Sequence, residues 1–179
     1  HLGNLWIGTA DQGLNIFNRE NETFRQFKHD PYDPASLANN TVWHISEDKT
    51  GVMWIGTWGG VERIVPRKNQ FHDYKKIPEN SASLPDDVAN AIYISNHEGR
   101  EVLWIGTGKG LVKIDLLTGK YTHFMHNPAD ASSIPGNIIT SLFEDRSGIL
   151  WIGTHEHGLM KSALPGCASG MQVTKMGQE

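Results

Sequence analysis

The chain has one cysteine, Cys167, in 179 residues. No internal disulfide can staple the fold, so its stability must come from packing and strand pairing. Long apolar runs are missing too: no stretch approaches the ~18 residues that would suggest a transmembrane helix. Basic clusters are also absent. Lysine and arginine are scattered, no basic run exceeds a pair such as Lys75-Lys76, and the formal net charge is -4. That leaves no electrostatic footprint for a phosphate backbone, which argues against a direct nucleic-acid partner. There is no G-x-S-x-G elbow, phosphate-cradling glycine loop or paired CxxC motif. The start, HLGNLW, has neither an initiator Met nor a charged segment followed by an apolar one, so the chain reads as a piece of something longer.

What the sequence does contain, it repeats. LWIGT at Leu5 to Thr9 returns as MWIGT at Met53 to Thr57 and as LWIGT at Leu103 to Thr107 and Leu150 to Thr154. The tryptophans Trp6, Trp54, Trp104 and Trp151 are thus spaced by 48, 50 and 47 residues, the self-similarity of a repeat architecture. Shortly after each WIGT comes a glycine (Gly13, Gly60, Gly110, Gly158) and then a short alternating run such as GLVKID. This reads as strand, tight turn, strand. Next come two aromatics three residues apart, Phe24 with Phe27, Phe71 with Tyr74, and Tyr121 with Phe124. In a strand that spacing sends one ring to each face, so these strands need apolar neighbours on both sides.

A long loop follows each aromatic pair: DPYDPASLANN, IPENSASLPDD and HNPADASSIPGN. Their Pro, Asp or Asn, and Ser disfavour sheet pairing and favour local side-chain to backbone bonds. Leu37, Leu84 and Ile134 are placed to hold these loops down. A β-rich run and a hairpin then lead back to the next WIGT. Asp48 to Gly51 and Asp145 to Gly148 are Asp-x-Thr/Ser-Gly turns, and NHEGRE replaces them in the third copy. Each period therefore holds four short strands and one long loop, with no amphipathic helical stretch. Four strands per period of about 40 to 50 residues indicate a β-propeller blade, and the repeated tryptophans are suited to fill the gaps between blades.

The unit N-x-V-x-x-I-x-E-D-x-x-G-x-x-W-I-G-T-x-x-x-G-L, seen from Asn40 through Trp54 and from Asn137 to Leu159, resembles the two-component regulator propeller repeat. The resemblance runs from about Asn4 to Lys161. It implies an all-β chain of four-stranded antiparallel blades and a noncatalytic, ligand-sensing propeller, typically of seven blades. It also implies a periplasmic location ahead of a membrane span and cytoplasmic signalling domains, and ligands that are often glycan fragments. Seven units of about 48 residues would need about 336, so the chain is expected to form an incomplete arc. That arc comprises residues 1–165, with a partial blade at 4–29, full blades at 40–76 and 87–126, and a partial blade at 137–162. In the remaining 166–179 tail, either MQVTKM serves as an outer strand or the segment is flexible. The expected partners are an extracellular ligand, the other blades or domains of a longer parent, or a second copy meeting an open blade face. No cofactor is implied.

Ligand contacts are expected where a constant scaffold carries variable residues, in the turns after WIGT. The candidates are Asp11 and Gln12, Trp58, Lys109, and His155, Glu156 and His157. Trp58 is surplus to the repeat and could stack on a sugar, or simply cover the neighbouring blade. Lys109 could meet an acidic group, or simply be solvated. His155-Glu156-His157 has ligating side chains but no evident third ligand for a metal. His29 and His126 recur at one repeat position, which argues for a structural role. The Glu47-Asp48 and Glu144-Asp145 pairs point to opposite faces and into turns, so they do not form a glycosidase acid and base. The alternatives to a sensor are a propeller enzyme of the streptogramin-lyase or sialidase type, and a pure interaction scaffold. The Asp-x-Thr-Gly-x-x-Trp hairpin loosely resembles the sialidase Asp-box. However, Arg19, Arg25, Arg63, Arg67, Arg100 and Arg146 are scattered rather than clustered around a carboxylate site.

Overall fold

The computed structural model describes residues 3–65, 70–97, 100–163 and 173–175. Cys167, Arg67 and the Glu98-Gly99 tip of NHEGRE lie outside the described residues. Those described form fifteen strands and no helix, in four antiparallel sheets. The first sheet has three strands, β1 (Leu5–Gly8), β2 (Leu14–Asn18) and β3 (Thr23–Phe27). The second is β4 (Val42–Glu47), β5 (Met53–Thr57), β6 (Gly60–Val65) and β7 (Gln70–Tyr74). The third is β8 (Ala89–His97), β9 (Arg100–Thr107), β10 (Gly110–Asp115) and β11 (Lys120–Phe124). The fourth is β12 (Ile139–Glu144), β13 (Ile149–Thr154), β14 (Gly158–Ala163) and β15 (Val173–Lys175). Each sheet is a meander, its strands paired in chain order as a propeller blade requires. Within the 166–179 tail, Val173–Lys175 takes the outer-strand place beside β14.

The repeat becomes architecture because alternate residues of each strand serve different interfaces. Leu14, Leu37, Val42, Met53, Ile55, Ile64 and Phe71 bury one cluster between the first two sheets, with Trp6 and Phe27 against it. Trp54, Leu84, Ile92, Ile105 and Val112 lie in the next, and Trp104, Ile134, Ile139, Ile152 and Met160 in the third. The WIGT tryptophan faces the following blade, while the residue before it and the isoleucine after it face the preceding one. The aromatic pairs divide as their spacing requires. Phe71 meets Phe27 edge-on at 5.5 Å across one interface, and Tyr74 meets Trp54 at 5.5 Å in the next. The two end faces lack this cover: Phe24 is 66% exposed on the first sheet and Phe143 60% on the last.

The crossover loops are built alike. Leu37, Leu84 and Ile134 are buried. Above each, a serine hydroxyl (Ser36, Ser83, Ser133) accepts the N–H of Asp30, Ile77 or Asn127 at 2.9 to 3.0 Å. The side-chain oxygens of Asn40, Asp87 and Asn137 accept the N–H of His29, Lys76 and His126 at 2.8, 2.8 and 2.7 Å. Nδ1 of His29 and of His126 lies 2.8 and 2.9 Å from the carbonyls of Leu37 and Ile134. A carbonyl only accepts, so Nδ1 carries the proton. Both histidines are loop fixtures, as their recurrence suggested.

Candidate functional site

The turns after WIGT and the crossover loops leave the sheets at the same end. Each turn is tied by the threonine of its WIGT. Oγ1 of Thr9, Thr57, Thr107 and Thr154 donates to the carbonyl of Gly13, Gly60, Gly110 and Gly158 at 2.8, 3.1, 2.8 and 2.9 Å. The same oxygen accepts a turn N–H, from Gln12, Gly59, Lys109 or His157. At Gly60, φ is +119°, and a Cβ would run into the carbonyl of Tyr74. A side chain is excluded there by both conformation and space. The threonine tie is thus constant from blade to blade, while the turns differ in length, the glycine standing four residues after the threonine in the first and fourth sheets and three after it in the second and third, and in the side chains they expose.

Asp11 and Gln12 are exposed on the first turn. The Gln12 side chain accepts from Lys28 Nζ at 2.8 Å, so it is engaged with the chain leaving β3. Lys109 Nζ lies 3.8 Å from Asp86 Oδ1 with 61% of its side chain exposed, a loose and mostly solvated pair. His155, Glu156 and His157 are exposed. The His157 ring stands 6.4 Å from that of His126 and also lies over Gly136. Among the described residues, no group of three His, Cys, Asp or Glu side chains is arranged to hold a metal. The contacts of these residues run from each turn to a neighbouring loop or strand.

Trp58 is half exposed and has company that the sequence reading missed. Its ring lies 6.1 Å from that of Trp43, tilted by 52°. Trp43 is the extra residue of a β-bulge between Val42 and His44, and Asn90 and Thr140 hold the same place in the next two sheets. A bulge shifts the strand's alternation by one residue, so counting along the strand misassigns its facing. Aligning the repeats at Thr41-Val42 would have exposed the substitution.

The carboxylates are committed to structure. Asp48 Oδ1 accepts the N–H groups of Thr50 and Val52, and Oδ2 accepts Trp54 Nε1 at 3.1 Å. Burial raises the pKa of Asp48, but these bonds, with that from the Thr50 hydroxyl, outweigh it and the net shift is downward. Asp145 repeats the arrangement with Ser147, Ile149 and Trp151 Nε1. Its pKa is lowered chiefly by the Trp151 bond. In the third blade Ser95 Oγ takes the indole proton of Trp104. The turn aspartates therefore act as caps that also orient the interblade tryptophans.

A further carboxyl stands out. Glu62 on β6 is fully buried where the corresponding residues are Asn15, Val112 and Met160, and neither of its oxygens makes a well-formed hydrogen bond. Burial is the main cause that pushes its pKa up to about 8. A weak backbone hydrogen bond from Ala38 opposes the shift, as does the charge of Lys75, and Asp73 reinforces it. Its position beneath the crossover loop marks it as an energetic liability of the fold rather than an accessible acid.

Residues 36–59 and 133–156 match the family model of the two component regulator propeller, so the chain carries repeats of that family. No curated protein matches the chain. Among solved structures, it is similar to the extracellular domain of the hybrid two component system BT3049 from B. thetaiotaomicron. The two share 29% identity at a TM-score of 0.72, over 88% of this chain and 20% of that one. The extracellular domain of BT4673 from the same organism gives 21% identity and a TM-score of 0.56, over 90% and 26%. An ancestral GH74 enzyme gives 14% and 0.60, over 89% and 21%; at such identities the likeness is one of fold. The chain spans a fifth to about a quarter of the length of these structures.

Proposed function

Because the chain carries two component regulator propeller repeats, we propose that it is a noncatalytic part of the extracellular, periplasmic sensor of a bacterial two-component system. It forms a run of blades within a longer propeller of about seven, and recognises an extracellular ligand such as a glycan fragment. Further blades of the parent cover its two end faces. The observation that carries this reading is the loop end of the sheets. There, four turns share one threonine tie and differ in length and in the side chains they expose: Asp11 and Gln12, then Trp58, then Lys109, then His155, Glu156 and His157. Constancy beneath and variation above is what a binding surface on a repeat scaffold requires. The similarity to the BT3049 extracellular domain supports the same reading.

The enzyme alternative has less support. Asp48 and Asp145 are occupied by backbone and indole N–H groups, and the likeness to the GH74 enzyme extends to fold alone. The scaffold alternative rests on the exposed Phe24 and Phe143 faces. Thermal unfolding of the full chain with a panel of oligosaccharides, alongside its mass in solution, separates the readings. A monomer whose midpoint rises with one glycan class is the expected result. A self-associating chain indifferent to every sugar would refute ligand sensing by these blades and favour the scaffold.

A further inference from the structure

The three crossover loops are built alike, but what lies beneath them differs. Aligned on Leu37, Leu84 and Ile134, the next residue is Ala38 in the first loop, and Pro85 and Pro135 in the other two. The strand residue beneath is Glu62 in the first case, Val112 in the same cluster as Leu84, and Met160 in the same cluster as Ile134. The two differences belong together. A proline has no N–H and stands over an apolar side chain, whereas Ala38 has one and directs a weak hydrogen bond at the Glu62 carboxyl. Glu62 shares its face of the second sheet with Ile55 on β5 and Asp73 on β7, the face that Ile55 and Ile64 bury against the first sheet. The charged groups on the surrounding elements are engaged with other partners. Asp73 pairs with Lys75 at 2.6 Å, Arg25 of β3 lies over the Phe27 ring at 4.6 Å, and Lys28 donates to Gln12. His29, on the loop itself, keeps its Nδ1–H bond to the Leu37 carbonyl in either charge state of the ring. The closed loop thus gives the Glu62 carboxyl one weak donor and no exposure to solvent, a setting that suits the neutral acid and penalises the carboxylate.

We propose that Glu62 is a proton-operated latch on the first crossover loop: protonated, it lets the loop close over β6, and ionised, it opens the loop locally while the sheets stay folded. Lifting the loop brings water to the carboxyl, so the cost of the buried charge is relieved without unfolding a blade. A pKa of about 8 in the closed state against 4.5 once exposed sets the range. The ratio of open to closed loop rises up to about tenfold per pH unit between these values and then levels off. The first loop is also the easiest of the three to lift, because Pro85 and Pro135 restrict the freedom that the other two would gain on opening. The consequence for the exposed turns rests on the sensing reading above. Residues 38–41 tie the first turn to the second. The Asn40 carbonyl accepts the Gly13 N–H at 2.8 Å, the Thr41 hydroxyl donates to the Ala10 carbonyl at 2.6 Å, and the Thr41 carbonyl accepts the Trp58 N–H at 3.2 Å. A Cβ on Gly59 would stand 2.8 Å from the Ala38 carbonyl, so the second turn rests directly on the loop. Opening it breaks these ties and frees the turn that carries Asp11 and Gln12 from the turn that carries Trp58, which makes the candidate surface pH-regulated.

The test is amide hydrogen exchange of the full nitrogen-15-labelled chain at intervals across the range between the two pKa values, for wild type and Glu62→Gln. Each rate is divided by the rate of an unstructured chain at the same pH to give an opening constant. The reporters are the Gly13 and Trp58 amides. The internal control is the His155 amide, which makes the same bond to the Ile138 carbonyl at 3.0 Å in the last blade, on a loop that carries His126 in the place of His29 but has Met160 beneath it. In wild type the opening constants of Gly13 and Trp58 should rise with pH, by up to about tenfold per unit, while that of His155 stays level, and Glu62→Gln should flatten the rise. The double variant Ala38→Pro with Glu62→Val, which rebuilds the pair of Pro85 and Val112, should flatten it too and serves if the single variant does not fold. Opening constants that are level in wild type overturn the latch, and so does a rise that persists in the variants. A rise shared equally by His155 and the β9 amides is global unfolding and overturns the local opening. The readout needs no ligand, so a failed latch leaves the sensing reading standing, and a failed oligosaccharide panel leaves the latch standing.

Discussion

Replacing Glu62 with Gln should make the protein more stable at neutral and alkaline pH, by an amount that grows between pH 4.5 and about 8 and then levels off. Glu62 is fully buried with neither oxygen in a well-formed hydrogen bond, and its pKa is pushed from 4.5 to about 8 in the folded protein. Below 4.5 the carboxyl is protonated in both folded and unfolded chains and contributes no penalty. Between 4.5 and 8 the unfolded chain releases a proton that the folded chain retains, and the native state loses about 1.4 kcal/mol per pH unit. Across the window the loss is on the order of 4 to 5 kcal/mol, an upper bound because a buried site can relax or admit water. This is a large share of the ~5 to 15 kcal/mol that holds a typical domain together. The assay is urea denaturation of wild type and Glu62→Gln at intervals from pH 4 to 9, read as the difference between the two curves. Taking the difference cancels groups that titrate alike in both, such as the half-buried His44, whose lowered pKa acts in the opposite direction. A Gln variant should narrow any deficit as pH rises through 4.5 and overtake wild type before pH 8. A difference that stays flat across the window would refute the argument, because it would mean that Glu62 titrates in the fold as it does in water.

Two further predictions concern packing. Trp54→Ala, at a residue 1% exposed between two blades, should cost about 3 to 5 kcal/mol in chemical denaturation; Trp151→Ala, with no following blade among the described residues, should cost less than half of that. Equal losses would mean that the end face is covered in solution. Leu84→Ala, beneath a crossover loop, should cost about 2 to 5 kcal/mol, whereas Leu117→Ala at an exposed turn should fall within ~0.5 kcal/mol of wild type by the same measurement.

Much of the fold was legible because the repeat supplied internal comparison. WIGT, its glycine and the paired aromatics specified the strands, the turns and the two-faced burial of the outer strands. Phe71 and Tyr74 show why: three residues apart on one strand, they serve different interfaces. Ser36 and Leu37, with their counterparts, likewise identified structured loops. The candidate surface was legible as a set of variable turns, and Gln12, Trp58, Lys109 and His157 all lie on those turns. Other features were not legible. Trp43 sits on a bulge, where period-two counting fails. Glu62 looks like an ordinary strand glutamate until the crossover loop covers it. The threonine of WIGT reads as a strand residue, yet its hydroxyl closes every turn. Val173–Lys175 lacks the aromatic pair that marked the other outer strands.

The sequence by itself determined what is local and periodic: which segments are strands, where the turns fall, and that blades of one kind follow one another. Alternation and glycine placement encode these within a few residues, and four copies average out the noise. Only the tertiary structure decided what depends on residues far apart in the chain. It brought Trp43 to Trp58, buried Glu62, paired Lys109 with Asp86, and left Phe24 and Phe143 uncovered. Burial, pKa and ring geometry are set by the neighbours that folding supplies, and no spacing along the chain contains them.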